Sequence, residues 1–213
     1  MAVLLPAINA YTEEEFTERA RLLRELNVRS AQVDVSDGIF GVPRNFSSPE
    51  IAVRELPGFK LDVHLMVRDV LAAIASWQAV MPVRLTVHVE VLRDPHAVLE
   101  QIRAAGSECG LALGPDTPVE AVQPYLSDVA VLLFVAVPPG RSGQQLDPKT
   151  PERIQAVRQQ YPALPIGVDG GVSAAVVPQL LAAGATTIVV ASALFNVPDP
   201  KAAYAELKRL VEA

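Results

Sequence analysis

Gln32-Val33-Asp34-Val35-Ser36-Asp37-Gly38 alternates polar and apolar residues and ends in an Asp-Gly turn. A period of two puts Gln32, Asp34 and Ser36 on one face of a strand and Val33 and Val35 on the other. Its polar residues therefore stand near the strand's C-terminal end. Asp is disfavoured in strands and is seldom buried without a partner. Taken alone, this Asp reads as a solvated strand end. The rest of the chain changes that reading, because further polar residues recur in the same kind of place.

Upstream lies an apolar run over 3–8, then Thr12 with Glu15 three residues on, a capping box that opens a helix carrying Phe16, Ala20, Leu23 and Leu26. Downstream the pattern repeats. Strands are predicted over 60–67, with Asp62, His64 and Met66 on one face, and over 83–90, with Thr86, His88 and Glu90 together. Further strands fall at 109–113, 129–137, 166–168 and 186–190. Helices are predicted over 48–56, 70–79, 94–105, 117–126, 150–160, 173–183 and 200–213, many opened by Pro or closed by Gly. The run over 129–137 is almost wholly apolar, as a strand buried on both faces should be.

Eight strand-then-helix units of about 27 residues each fill the 213 residues. Regular alternation implies parallel strands with right-handed crossovers. Eight units point to an α/β fold, a closed (β/α)8 TIM barrel over 1–213 with no second domain. Half of the residues are hydrophobic, enough for a sizeable core.

The net charge of −6, with no run of Lys or Arg, argues against nucleic acid or an anionic membrane as partner. A small anionic substrate needs only local donors. Cys109 is the single cysteine and implies a reducing compartment. The first ten residues lack the basic start of a secretory signal, and no apolar run reaches the roughly 18 residues of a membrane span. The expectation is a soluble cytoplasmic protein.

In such a barrel the site lies at the C-terminal ends of the strands. Asp34, His64, His88, Glu90 and Asp169 come from those ends. A His, two Asp and Gln32 converging on one mouth have the composition of a divalent-metal site. Carboxylates reaching a flat substrate from opposite sides are what a proton-swapping epimerase needs, one removing a proton beside a carbonyl and the other returning one. Gly140-Arg141-Ser142-Gly143, Asp169-Gly170-Gly171 and Ala191-Ser192 put small residues after the sixth, seventh and eighth strands. Backbone N–H groups there, with a helix N-terminus, are suited to a phosphate.

Read together, Asp34-Val-Ser-Asp37-Gly38-Ile-Phe40, Asp62-Val-His64-Leu-Met66-Val67, His88-Val-Glu90, Gly110-Leu-Ala-Leu113, Pro139-Gly140 with Gly143-Gln144, Val168-Asp169-Gly170-Gly171-Val172 and Ser192-Ala-Leu-Phe195 resemble, in order and over nearly the whole chain, the ribulose-phosphate 3-epimerase family. The resemblance implies a barrel of the ribulose-phosphate-binding type and an isomerase of the pentose phosphate pathway, interconverting D-ribulose 5-phosphate and D-xylulose 5-phosphate. It implies Asp34 and Asp169 as the acid/base pair, and as ligands with His64 of a divalent cation such as zinc, iron, manganese or cobalt. Substrate contacts would come from His64 and Met66, and phosphate contacts from Gly140, Ser142, Gly143, Gly170, Gly171, Ala191 and Ser192.

The pattern departs from the family at Gln32, where a His is usual, at Ala7, which lacks a hydroxyl, and at Ser36 and Phe134, where Met is expected over the reacting carbons. Gln32 is the weaker, harder candidate ligand. Two readings follow. One is a metal-dependent 3-epimerase acting on ribulose 5-phosphate or a relative such as allulose 6-phosphate. The other is a non-catalytic or repurposed phosphosugar-binding barrel. Val176, Leu180 and Leu181 form an apolar helix face that belongs either to the core or to an interface of a homo-oligomer.

Overall fold

The alternation around Asp34 becomes a strand, β2 (Ser30–Ser36), whose inward residues register with the next strand, β3 (Lys60–Met66): Gln32 pairs with Asp62, Asp34 with His64 and Ser36 with Met66. The computed structural model describes residues 2–138 and 143–213. The other strands are β1 (Val3–Ile8), β4 (Arg84–His88), β5 (Glu108–Leu113), β6 (Val131–Val135), β7 (Ile166–Asp169) and β8 (Thr187–Val190). All neighbours are parallel and β8 pairs with β1, so the sheet closes into an eight-stranded barrel. Helices α1 (Glu13–Glu25), α2 (Pro49–Glu55), α3 (Val70–Trp77), α4 (Pro95–Ala104), α5 (Thr150–Gln160), α6 (Val177–Ala183), α7 (Ser192–Phe195) and α8 (Pro200–Glu212) lie between or after the strands. Among the described residues no helix is long and apolar enough to cross a membrane.

The strands are buried on both faces, and the two faces differ. Outward residues such as Val33, Val63, Leu85, Leu111 and Phe134 pack with Phe16, Leu23, Trp77 and Ile102 in the layer between sheet and helices. Burying side chains of this size stabilises by about 1.5–3 kcal/mol each. Inside the barrel, Leu5 and Ala7 of β1, Ala112 of β5, Leu133 of β6 and Val189 of β8 form an apolar arc. The facing arc, from β2 to β4, is polar: Gln32, Asp34, His64, Thr86 and His88 are all buried. Apolar residues thus floor one side of the mouth, and titratable groups fill the other.

Several expectations shift for local reasons. The helix expected over 117–126 is instead two 3-10 segments, Val119–Ala121 and Gln123–Asp128; Pro124 supplies no N–H and its ring opposes a continuous α-helix. The helix expected from 173 begins at Val177, because Pro178 is tolerated only in a first turn. Strand β4 stops at His88, and Glu90 lies in a following 3-10 turn rather than in strand alternation. Phe134 faces the helices, with the Arg153 guanidinium 5.3 Å from its ring centre, so it is not a cap over the mouth; Val135 takes that place. Leu180 is buried, and Val176 and Leu181 pack partly buried against the same core, so this face is largely internal.

The capping box opens α1 as expected: Thr12 Oγ1 accepts from the Glu15 N–H at 3.1 Å, while Glu15 reaches back to the Tyr11 N–H.

Close packing inside the barrel requires glycine at Gly110. A Cβ there would lie 2.2 Å from Thr86 Oγ1, which is itself hydrogen-bonded to Asp62. Gly110→Ala is expected to destabilise the fold by about 1–3 kcal/mol through overpacking. A urea unfolding midpoint unchanged from wild type would contradict this account.

Candidate active site

Asp34, His64 and Asp169 reach one point from three strands. Asp34 and His64 are neighbours in register on β2 and β3, and Asp169 ends β7. One ligand atom from each lies within 4.8 Å of the other two. His64 Nδ1 is 3.5 Å from both Asp34 Oδ1 and Asp169 Oδ2. Two carboxylate oxygens and one imidazole nitrogen at this spacing suit a divalent cation. Gln32 completes the group, its Nε2 lying 2.8 Å from Asp34 Oδ1 and 2.6 Å from Asp169 Oδ2. Asp62, on the same face of β3, is held lower in the barrel by Arg84 and Thr86.

These groups are placed where charge is costly. Burial pushes the Asp34 carboxyl above the usual carboxylate range, outweighing the hydrogen bond from His64, and the nearby Asp169 adds to the rise. Burial works against a charged His64, but hydrogen bonds and charge from Asp169 and Asp34 outweigh it and raise its pKa to about 10.

Behind His64 runs a chain of contacts. His64 Nε2 lies 2.9 Å from His88 Nε2, and His88 Nδ1 lies 3.2 Å from Glu90 Oε2. Burial lowers the His88 pKa, so a neutral ring accepts from His64 Nε2–H and donates its own Nδ1–H to Glu90. Glu90 in turn accepts from the Gly114 N–H at 2.7 Å and from the Thr117 hydroxyl. Arg153 of α5 secures that loop through the Gly114, Pro115 and Thr117 carbonyls. Partners of this kind fix the tautomer and direction of a ligating imidazole.

A cavity of about 220 Å3 opens above the group. Met66, Gly143, Gly170, Gly171, Ala191 and Ser192 line it. Gly140 and Ser142, with Arg141, lie outside the described residues. Gly170 and Gly171 have φ of 92° and 66°, and a Cβ on Gly171 would lie 2.3 Å from the Leu146 nitrogen, so both turn conformation and space demand glycine there. Ser36 does not cap the cavity; its hydroxyl lies 3.3 Å from the Val42 carbonyl and 3.3 Å from the Gly38 N–H, within its own loop.

Asn45, which belongs to none of the motifs read from the sequence, supports the site. It donates to the Asp34 carbonyl at 2.7 Å and accepts from the Ser36 N–H at 2.8 Å, tying the loop to β2. Arg153 carries no sequence signal, because its partners are far away along the chain; Thr117 reads in the sequence as the opening of the helix expected over 117–126, and in the structure its hydroxyl donates to Glu90.

For Glu90, burial alone would raise the pKa, but His88, Thr117 and the Gly114 N–H hold it down to about 2. A depressed folded pKa gives stability that is complete above the unfolded value near 4.5 and is lost as pH falls toward 2. Glu90→Gln is expected to cost on the order of 1 kcal/mol at neutral pH, reduced by solvent screening. The gap between the two melting curves should close as pH drops from about 4.5 to about 2; a gap independent of pH would refute the charge-based account.

Residues 3–195 match the model of the ribulose-phosphate 3 epimerase family. The chain is 32% identical over 200 residues to the ribulose-phosphate 3-epimerase, cytoplasmic isoform, of Oryza sativa subsp. japonica, covering 92% of this chain and 87% of that protein. It is 34% identical over 212 residues to the ribulose-phosphate 3-epimerase of Synechocystis sp., covering 96% and 90%. Among solved structures it is similar in fold to the 3-hexulose-6-phosphate synthase from Salmonella typhimurium, with a TM-score of 0.71, 14% identity and coverage of 100% and 99%. A barrel closed in this order, a mouth bearing Asp34, His64 and Asp169, and relatives matched along almost their whole length lead to one assignment: the chain belongs to the ribulose-phosphate 3-epimerase family.

Proposed function

We propose that this chain inverts C3 of a ketose phosphate, converting D-ribulose 5-phosphate to D-xylulose 5-phosphate through an enediolate. The observation that carries the reading is the entry of two carboxylates, Asp34 from β2 and Asp169 from β7, into one cavity. One carboxylate takes the C3 proton, the C–H electrons form a C2–C3 double bond, and the C2 carbonyl π electrons move onto its oxygen, giving the enediolate. The other carboxyl group delivers a proton to the opposite face of C3, the double-bond electrons forming the new C3–H bond while the oxygen's electron pair re-forms the C2 carbonyl. Each group must act as both acid and base over a full cycle, which favours pKa values nearer neutrality than a free carboxylate has. Burial moves Asp34 in that direction.

Asp34, His64 and Asp169 are the residues that would hold a divalent cation, whose charge would lower the energy of the developing enediolate oxygen. Met66, Val135 and Val189 supply apolar wall around the reacting carbons, and Gly143, Gly170, Gly171, Ala191 and Ser192 line the side suited to the phosphate. The Glu90–His88 pair keeps His64 directed at the carboxylates. A second reading, a phosphosugar-binding barrel without turnover or an epimerase for another sugar phosphate such as allulose 6-phosphate, is favoured by Gln32 in a place where imidazole would bind metal more strongly, by Ala7, which offers no hydroxyl, and by Ser36, whose hydroxyl stays within its own loop.

Proton NMR of D-ribulose 5-phosphate in D2O tests the reading. Metal-loaded protein is expected to exchange the C3 proton and accumulate D-xylulose 5-phosphate. Asp34→Asn and Asp169→Asn should each lose inversion by a factor on the order of 10²–10⁴. Chelation should remove turnover, and one equivalent of cation should restore it. No exchange with zinc, iron, manganese or cobalt would reject this substrate and leave the second reading.

A further inference from the structure

The Gln32 amide nitrogen faces both site carboxylates at once, at 2.8 Å from Asp34 Oδ1 and 2.6 Å from Asp169 Oδ2, and lies 3.5 Å from His64 Nδ1. Gln32 is 1% exposed, so water does not compete for these contacts. An amide nitrogen carries two protons, and here each has its own carboxylate. The neighbours of this one atom are also the three residues that would ligate a cation. Its position is therefore a fourth corner of the ligand set. A half-turn about the Cγ–Cδ bond exchanges Nε2 for Oε1 in nearly the same volume, replacing two donors by a lone pair.

We propose that Gln32 is a two-position ligand: its NH2 bridges Asp34 and Asp169 when no cation is bound, and its Oε1 turns inward to ligate the cation when one is. This rests on the metal reading of Asp34, His64 and Asp169, and not on turnover. The bridge holds the carboxylates together without a cation, so the site keeps its shape when metal-free. Cation binding must break both hydrogen bonds, which weakens affinity. A carbonyl oxygen is also a harder donor than imidazole, which moves the preference away from zinc and toward manganese or magnesium. Imidazole cannot substitute for the bridge, since one ring nitrogen carries at most one proton.

The side-chain amide signals of 15N-labelled protein, with Gln32 assigned by its loss in Gln32→Ala, report the turn directly. In metal-free protein both Gln32 amide protons are expected to be shifted downfield as donors to carboxylates. One equivalent of zinc should move both to unbonded positions. Calorimetry should show Gln32→His binding zinc more tightly than wild type by at least the roughly ten-fold that changes around metal ligands produce, with a smaller gain for manganese. Gln32→Glu, which keeps the shape and loses both donors, should melt lower than wild type in chelator and recover with added cation. Gln32 signals that stay put while zinc binds would overturn the proposal, as would a Gln32→Glu protein as stable as wild type in chelator. None of these readouts uses substrate, so an inactive protein that shows the turn would sink the epimerase reading alone.

Discussion

The structure turns on the repulsion between two carboxylates brought into one largely buried mouth. Asp34 and Asp169 present oxygens within 4.8 Å. Two unit charges about 5 Å apart at an effective dielectric near 20 repel by about 3 kcal/mol, a large fraction of the stability of a whole domain. Everything around them addresses that cost. His64 stands 3.5 Å from each carboxylate as a cation or as a ligand, the Gln32 amide donates to both, and burial biases Asp34 toward its neutral form. The same features that reconcile the charges also give the two groups different environments, Asp34 buried within β2 and Asp169 half-buried at the end of β7.

The barrel makes this arrangement rigid. Its interior is divided, with small and branched apolar residues from β1, β5, β6 and β8 on one arc and polar side chains from β2 to β4 on the other. Polar residues so deep in a barrel are tolerated because each has a partner, down to the Arg84–Asp62–Thr86 group beneath the site. Glycine at Gly110 lets Thr86 fill its place, and glycine at Gly171 lets the loop after β7 lie against the backbone at Leu146. The functional groups thus stand on strands whose register is set by the whole closed sheet.

Support for His64 extends far from the mouth. Arg153 lies on α5, yet through the 114–117 loop, Glu90 and His88 it reaches the imidazole. The guanidinium also lies over the Phe134 ring, so the outer apolar layer and the site share one residue. Tethering of this kind orients a ring nitrogen more tightly than packing alone, since the neutral His88 ring has one donor and one acceptor and both are engaged here.

Period-two alternation, regular spacing of strands and helices, and the Gly and Pro that punctuate them are enough to specify an eight-stranded barrel and to put Asp34, His64 and Asp169 at its mouth, because local periodicity and chain order determine which face and which end a residue occupies. The pattern misleads where one residue overrides it: Pro124 turns an expected helix into 3-10 segments, and β4 ends before Glu90. Pairing at a distance is beyond the reach of local sequence. That Gln32 bridges Asp34 and Asp169, 135 positions apart in the chain, that Glu90 acts on His64 through His88, and that Asn45 and Arg153 serve the site at all depend on side-chain separations of a few ångströms. Hydrogen bonds operate only at that range, and only closure of the barrel brings the groups within it.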